Sequence, residues 1–181
     1  MRIIAGMARS RPIKAPKGMD TRPTLDRVRE TIFNILQFDV QGARVLDLYA
    51  GSGSLSLEAV SRGAEHAYLV DMSHASAQVI RENIASLRFE EKCTFLPMTD
   101  AQALSRLRGG RFDLIFLDPP YKMDTTDVIL RMHREGMMDE NTILVVEFDR
   151  HKPTLPEAFE CFKSRDFGEI HVNFYRLNKE G

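Results

Sequence analysis

The sequence predicts one α/β domain built on a mostly parallel sheet whose last strand is antiparallel. From residue 43 onward, short apolar runs alternate with helical segments, the pattern of chains in which helices connect parallel strands. After residue 155, two apolar runs flank Asp166-Phe167-Gly168, which predicts a hairpin turn. The chain has 181 residues, 43% of them hydrophobic, and this suffices for one compact core with little left for a second domain.

The first 29 residues differ from the rest of the chain in charge. They hold eight basic and two acidic residues, a balance of +6, in a chain of net charge −1, so the remaining residues carry −7. A basic arm on an acidic body is typical of a protein that approaches a polyanion from one side, although a solvated basic tail has the same composition. Isoleucines, prolines and a glycine punctuate the arm, which favours a short hairpin.

The remaining elements follow in order along the chain. Apolar residues at three- and four-residue spacing predict a helix from Pro23 to about Gln37. Strands are predicted at Arg44–Leu48, Ala67–Val70, Cys93–Leu96, Phe112–Leu117, Ile143–Phe148, Phe159–Lys163 and Ile170–Leu177, and further helices at 53–62, 74–87, 101–108 and 125–134. We therefore divide the chain into residues 1–38, a basic hairpin and helix, and residues 39–181, the α/β domain.

Aspartates stand at or just after the ends of the first four predicted strands. They are Asp47, Asp71, Asp100 and Asp118. In an open α/β sheet, ligands bind beyond the carboxyl ends of the strands. Four carboxylates along one edge predict a binding site there, because each is costly to bury without a hydrogen-bond donor or a cation.

The loop after the first strand contains two glycines, Gly51 and Gly53, which allow a tight turn before the next helix. Asp71 follows Gly51 by twenty residues, the spacing at which an acidic residue binds ribose hydroxyls in nucleotide-binding folds. A dinucleotide site would have a third glycine where this chain has Ser56. S-adenosylmethionine, a sulfonium cation without phosphate, is therefore the better match, and a nicotinamide-dependent oxidoreductase is the alternative.

The predicted fourth strand of the sheet ends in Asp118-Pro119-Pro120-Tyr121. Two prolines stop the strand and fix the backbone, so a carboxylate, two carbonyls and an aromatic ring are held in one short loop. The four residues resemble the D/N-P-P-Y/F/W motif of methyltransferases that modify exocyclic amino groups of adenine or guanine. The other interpretation is a structural Pro-Pro turn with the tyrosine packed over it.

Further segments resemble the bacterial RsmD family of 16S ribosomal RNA guanine-N2 methyltransferases. The resemblance covers nearly the whole chain in the right order. Its segments are RIIAG at 2–6, RPTxDRVRExxFN at 22–34, VLDLYAGSG at 45–53, LEAxSRGA at 57–64 and DPPY at 118–121. The RPTxDRVRE block is far more specific than the glycine loop. Ser56 and Asp71 depart from the commoner Gly and Glu of the family.

The resemblance implies a class I S-adenosylmethionine-dependent methyltransferase fold, a Rossmann-like sheet of seven strands with an N-terminal extension. Implied catalytic residues are Asp118, Pro119, Pro120 and Tyr121. Implied cofactor-binding residues are Asp47, Tyr49, Gly51, Ser52, Gly53, Asp71, Met72, Asp100 and Ala101. The basic residues expected to contact RNA are Arg9, Arg11, Arg22, Arg27 and Arg29. The product of the cofactor would be S-adenosylhomocysteine, and the partner would be 16S RNA, in a small-subunit ribosomal particle.

Composition limits the remaining classes. The chain has two cysteines far apart and no clustered histidines, so we expect neither a disulfide framework nor a metal site. No window approaches the roughly 18 consecutive apolar residues of a membrane span, and we expect a cytoplasmic monomer. An adenine-N6 methyltransferase of DNA or RNA would use the same Pro-Pro loop. A non-catalytic RNA-binding module would explain the basic arm but not the four strand-end carboxylates.

Overall fold

The computed structural model describes residues 1–19, 23–120 and 123–179. It contains seven strands and five helices within these residues. In chain order they are α1 (Pro23–Ile35), β1 (Arg44–Asp47), α2 (Ser54–Ser61), β2 (His66–Val70), α3 (His74–Leu87), β3 (Cys93–Leu96), α4 (Asp100–Arg106), β4 (Leu114–Leu117), α5 (Thr126–Arg134), β5 (Ile143–Phe148), β6 (Phe159–Phe167) and β7 (Ile170–Leu177). Except at β6, the predicted boundaries differ from these by no more than two residues.

The seven strands form one sheet in the order β3-β2-β1-β4-β5-β7-β6. The first five strands are parallel, and β7 is antiparallel to both β5 and β6, which confirms the predicted sheet. The chain leaves β1 toward β2 on one side and returns to β4 on the other, so the direction of winding reverses between β1 and β4. Ligands bind at such a switch point in open α/β sheets.

The side chains of the sheet divide into two apolar layers because strand residues alternate between faces. One layer contains Val45, Phe116 and Val145 together with residues of the N-terminal arm, α1, α2 and α3. The other contains Leu46, Ile115 and Leu144 with residues of α4 and α5. Both faces are therefore covered, which accounts for the continuous apolar runs of the central strands.

The C-terminal hairpin is longer than the sequence predicted. Asp166 and Phe167, which we expected in the turn, belong to β6, where they pair with His171 and Ile170. The turn is the two-residue Gly168-Glu169, with a positive φ of 68° at Gly168. A two-residue turn of this kind matches the twist of the flanking strands, so the strands pair up to its edge.

The N-terminal arm, which we define as residues 1–19, is packed into the same core as the sheet. Met1–Ile3 and Ser10–Ile13 form a short antiparallel ladder, in which Ile3 N donates to Arg11 O and Ile13 N donates to Met1 O. Three apolar side chains of the arm are buried in the layer that covers α2 and α3, namely Ile3, Ala8 and Ile13. The arm is thus an ordered part of the domain in this structure and not a solvated tail.

A buried carboxylate fixes the start of the arm. Glu58 in α2 is 0% exposed and accepts hydrogen bonds from the backbone N–H groups of Ile4, at 2.9 Å, and Ala5, at 3.0 Å. Arg62 completes the group, because its Nε donates to Glu58 at 2.9 Å. Two backbone N–H groups of the arm and one guanidinium therefore share this single buried acceptor.

Replacing Glu58 with Ala should destabilise the protein strongly. Two backbone donors and one guanidinium would lose a buried partner, and we expect a loss of about 3 kcal/mol in the free energy of unfolding. Urea denaturation measures this change. Glu65→Ala, at an exposed position in the same region, is the control and should change stability by about 0.5 kcal/mol or less. Equal denaturation midpoints for the two variants would show that Glu58 does not hold the arm.

Candidate functional site

The structure brings the strand-end aspartates to one edge of the sheet. Asp47 is the last residue of β1, Asp71 follows β2 and Asp118 follows β4, and these three strands are parallel neighbours. Asp100 begins α4 just after β3, at the same edge. The edge includes the switch point between β1 and β4, so the site lies where the topology places a ligand.

The glycine loop after β1 is held by Asp71. Gly51 N donates to Asp71 Oδ2 and Ser73 N donates to Asp71 Oδ1, both at 2.9 Å. Gly51 and Gly53 have positive φ angles of 61° and 82°, which side chains other than glycine rarely adopt. The loop therefore passes close to the site in a conformation that depends on both glycines and on the carboxylate of the next strand.

Asp47 is buried beneath this loop and is 1% exposed. Ser56 Oγ donates to its Oδ2 at 2.9 Å, whereas Oδ1 has no hydrogen-bond partner among the described residues. Burial, together with the charges of Asp118 and Asp71, raises the pKa of Asp47 to about 7. A cation or an amino group bound at this edge would stabilise the ionised form of Asp47. Ser56, which from sequence is notable only as a missing glycine, thus holds Asp47 through a bond that the sequence does not predict.

Tyr49 and Asp100 form a second polar pair at this edge. The Tyr49 hydroxyl donates to Asp100 Oδ2 at 2.7 Å, and burial raises the pKa of Tyr49, so the phenol stays protonated as a donor. Ala101 N donates to Asp100 Oδ1 at 2.7 Å. Met72, which directly follows Asp71 in the chain, is 71% exposed.

Asp118 opens the Pro-Pro loop beyond β4 and is an exposed residue. Partial desolvation of its carboxyl group by neighbouring protein atoms raises its pKa. Leu117 pairs with Val146, so the next residues, Asp118 and Glu147 of β5, lie side by side and point to one face of the sheet. Burial and the charge of Asp118 raise the pKa of Glu147, so it tends to stay neutral. Glu147 was not recognised from sequence because it sits at the end of an apolar run.

The remaining residues of the Pro-Pro loop are only partly described. Pro119 is half-buried and Pro120 is exposed. Tyr121, the aromatic member of the motif, lies outside the described residues, as does Arg22 of the basic set.

The basic residues fall into two groups. Arg9, Arg11 and Arg27 are exposed, and Arg11 also donates to the backbone oxygen of Ser86. Arg29 is only 4% exposed and donates to the backbone oxygen of Arg2, so it holds the arm against α1 from inside. Burial lowers the pKa of Arg29. The structure therefore does not place Arg29 on the surface with the other arginines.

Within the part of the chain that the structure describes, no cluster of three or more His, Cys, Asp or Glu side chains is arranged to hold a metal ion. None of the helices in residues 1–19, 23–120 and 123–179 is long and apolar enough to cross a membrane.

Comparison with known proteins identifies related chains. A family model described as Conserved hypothetical protein 95 matches residues 1–176. Ribosomal RNA small subunit methyltransferase D of Escherichia coli is 32% identical over 186 residues, covering 100% of this chain and 92% of the relative. The protein of the same name from Haemophilus influenzae is 30% identical and covers 97% of this chain and 93% of the relative.

Solved structures agree with these sequence matches. The structure of yhhF from Escherichia coli has a TM-score of 0.86 at 32% identity and covers 99% of both chains. A ribosomal protein L11 methylase from Lactobacillus delbrueckii has a TM-score of 0.67 at 18% identity, covering 95% of this chain and 88% of that one. The second likeness concerns the fold alone. The predicted fold class, that of S-adenosylmethionine-dependent methyltransferases, is confirmed.

Proposed function

Because the chain belongs to the RsmD family, we propose that it transfers a methyl group from S-adenosylmethionine to the exocyclic N2 amine of a guanine in 16S ribosomal RNA. The observation that carries the proposal is the meeting of the Pro-Pro loop, opened by Asp118, with the glycine loop at one edge of the sheet. One loop suits an aromatic amine and the other a nucleoside cofactor. Their juxtaposition supports transfer between the two.

The carboxylates of the site suit S-adenosylmethionine chemically. We propose that Asp71 binds the ribose hydroxyls, that Asp100 with Met72 borders the adenine, and that Asp47 Oδ1 accepts from the amino group. Tyr49, Gly51, Ser52, Gly53 and Ala101 would complete the cofactor site. Burial first, and then the charges of Asp118 and Asp71, raise the pKa of Asp47, and a ligand that carries positive charge would stabilise its ionised form. When bound, the cofactor supplies an electrophilic methyl group on a sulfonium centre.

The guanine N2 amine needs help because its lone pair is delocalised into the ring. We propose that the Asp118 carboxylate and the Pro119 carbonyl accept hydrogen bonds from the two N–H groups of this amine. These bonds would orient the lone pair of the amine toward the methyl group. Pro119 and Pro120 keep these acceptors in place, since each proline fixes its own φ. Asp118 accepts most strongly when it is ionised, and its raised pKa also makes it a better proton acceptor than a free Asp.

The guanine must reach this edge from a nucleic acid. A base stacked in a helix is out of reach of a pocket at a strand edge, so we propose that the target is unpaired or extruded. Tyr121 would stack on the base, a contact that contributes roughly 1–3 kcal/mol in other nucleic-acid complexes. Methylation of an adenine N6 amine would use the same acceptors, and it is one of the outcomes that the assay below separates.

We propose that residues 1–38 dock the RNA and that residues 39–181 carry the chemistry. Arg9, Arg11 and Arg27 are exposed on this segment and would contact phosphates, with Arg22 extending the set. Arg29 would instead keep the arm folded against α1. The partner would be 16S RNA within a small-subunit particle, met by a cytoplasmic monomer.

Reversing the charge of Arg9 and Arg27 together should weaken RNA binding. Each lost phosphate contact lowers the log–log salt slope of binding by about one unit, so the double variant should lose about two units. Filter binding at several salt concentrations measures the slope. Reversal of Lys163 and Arg165, exposed on β6 at the other end of the sheet, is the control and should leave it unchanged. An unchanged salt slope in the Arg9 and Arg27 variant would show that the arm does not dock the RNA.

The direct assay of the proposed activity uses purified protein, methyl-labelled S-adenosylmethionine and small-subunit particles from a strain that lacks its own family member. Digestion to nucleosides identifies the labelled product. We expect N2-methylguanosine. Label in N6-methyladenosine would show that the target base is adenine. No label in any RNA would favour a module that binds RNA without modifying it.

A further inference from the structure

The buried face of α3 carries one polar side chain that reaches two distant segments. Asn83 is 1% exposed and lies between Ile80 and Leu87 on the face that packs against the core. Its Nδ2 donates to Ser52 O of the glycine loop and to Lys14 O of the N-terminal arm, both at 2.9 Å. Its Oδ1 accepts from Lys14 N at 2.8 Å.

A polar side chain at this buried position would reduce stability if it lacked hydrogen bonds. A buried amide is tolerated only when its polar atoms are paired, and an apolar residue is the ordinary choice at a core position of a helix. Asn83 pairs with main-chain groups of Lys14 and Ser52, neither of which belongs to a helix or strand. The amide therefore ties the backbone of the arm to the backbone of the glycine loop.

Other contacts place the arm beside the same loop. The Lys14 ammonium pairs with Glu82 at 2.8 Å, and Arg11 donates to the backbone oxygen of Ser86, so the arm follows the surface of α3. The Met19 side chain then lies over the glycine loop, because a Cβ added to Gly51 would be 2.7 Å from its Cε. The arm thus touches the loop directly at Gly51 and indirectly through Asn83.

We propose that Asn83 is a positioning residue that couples the N-terminal arm to the glycine loop, so that cofactor binding stabilises the docked arm and a docked arm strengthens cofactor binding. The proposal rests on the proposed function, since it takes the glycine loop as the cofactor site and the arm as the RNA-docking segment. Asn83 touches neither ligand. It acts through Ser52 and Lys14, whose relative position it fixes.

The coupling must act in both directions. If a bound cofactor holds the loop in the conformation that Asn83 favours, then anything that holds the arm in place raises cofactor affinity by the same factor. The amide has two partners on the arm and one on the loop, so local opening of either segment breaks part of one shared network. A protein with this device would bind its two substrates cooperatively without any large movement.

Hydrogen exchange measured with and without S-adenosylhomocysteine tests the coupling without any RNA. In the unaltered protein, the ligand should slow exchange in the glycine loop and also, by about 3- to 10-fold, in a peptide covering residues 11–19. Asn83→Ala should lose the protection of residues 11–19 while the loop stays protected. Its KM for S-adenosylmethionine should rise by about 3- to 10-fold with a smaller change in kcat, as expected for the loss of one hydrogen bond to the loop.

Ser86→Ala is the matched control on the same helix, because the Ser86 hydroxyl bonds only to the backbone oxygen of Asn83 in the described structure. The Ser86→Ala variant should keep the full ligand-dependent protection of residues 11–19. Protection of the loop without protection of residues 11–19 in the unaltered protein would overturn the coupling, and this result does not depend on any variant folding. Equal protection in Asn83→Ala would overturn the role of Asn83. No binding of the ligand at all would overturn the proposed cofactor site together with the coupling.

Discussion

Asp118→Ala should lose methyl transfer almost completely while binding S-adenosylhomocysteine with nearly normal affinity. The variant removes the carboxylate that would accept a hydrogen bond from the guanine amine, and positioned acid–base and orienting groups typically contribute about 10²- to 10⁴-fold in rate. Single-turnover assays with small-subunit particles measure the chemical step, and calorimetry measures ligand affinity. Loss of ligand binding with retained turnover at high cofactor would show that the Pro-Pro loop is structural.

Asp118→Asn separates the two roles that the carboxylate could have. An amide oxygen still accepts from the amine but cannot take its proton, so partial activity indicates orientation and a loss as large as that of Asp118→Ala indicates proton transfer. The raised pKa of Asp118 gives a further expectation for the unaltered protein. Below its pKa the carboxyl is protonated, so it accepts a hydrogen bond from the amine less strongly and can no longer take the proton of the amine. The rate should therefore fall as the pH falls through an apparent pKa above the 3.9 or so of a free Asp. Asp118→Asn should lack this decline.

Asp71→Ala should weaken cofactor binding more than any other substitution in the site. It removes the carboxylate proposed to bind both ribose hydroxyls, and each charge-assisted hydrogen bond contributes roughly 1.5–3 kcal/mol. Gly51 N and Ser73 N also lose their acceptor, so the glycine loop becomes less ordered. Calorimetry with S-adenosylhomocysteine should show a loss of about 100-fold or more.

The control for this substitution is Asp127→Ala, which removes an exposed carboxylate from the first turn of α5. It should leave the affinity unchanged. If the Asp71 and Asp127 variants bound the ligand equally well, the ribose assignment would be wrong and the role of Asp71 would be limited to the backbone of the loop.

The sequence predicts the sheet well because the relevant signals are local. Runs such as Leu114–Leu117 are apolar throughout, and this marks strands buried on both faces. The strand-end aspartates could be found because parallel strands bring their carboxyl ends to one edge. The hairpin turn was misplaced by two residues because Asp166 and Phe167 resemble turn residues only in isolation, whereas pairing with His171 and Ile170 keeps them in β6.

The features that sequence did not reveal depend on contacts between distant segments. Arg29 belongs to a basic block, and only the structure shows its guanidinium buried against the arm. Asn83 had one usable signal, a polar residue on the apolar face of a helix, but its partners lie 31 and 69 residues away in the chain. Glu58 and Ser56 likewise act through hydrogen bonds to other segments, which hydrophobic periodicity does not reveal.

Nucleoside mass spectrometry of 16S RNA tests the central claim most directly. The RNA would come from a bacterial strain that lacks its own family member and carries either this chain, its Asp118→Ala variant or no copy. The account predicts that the amount of N2-methylguanosine per 16S RNA is lower without the chain, restored by it and not restored by the variant. Unchanged N2-methylguanosine in all three strains, or a change only in N6-methyladenosine, would contradict it.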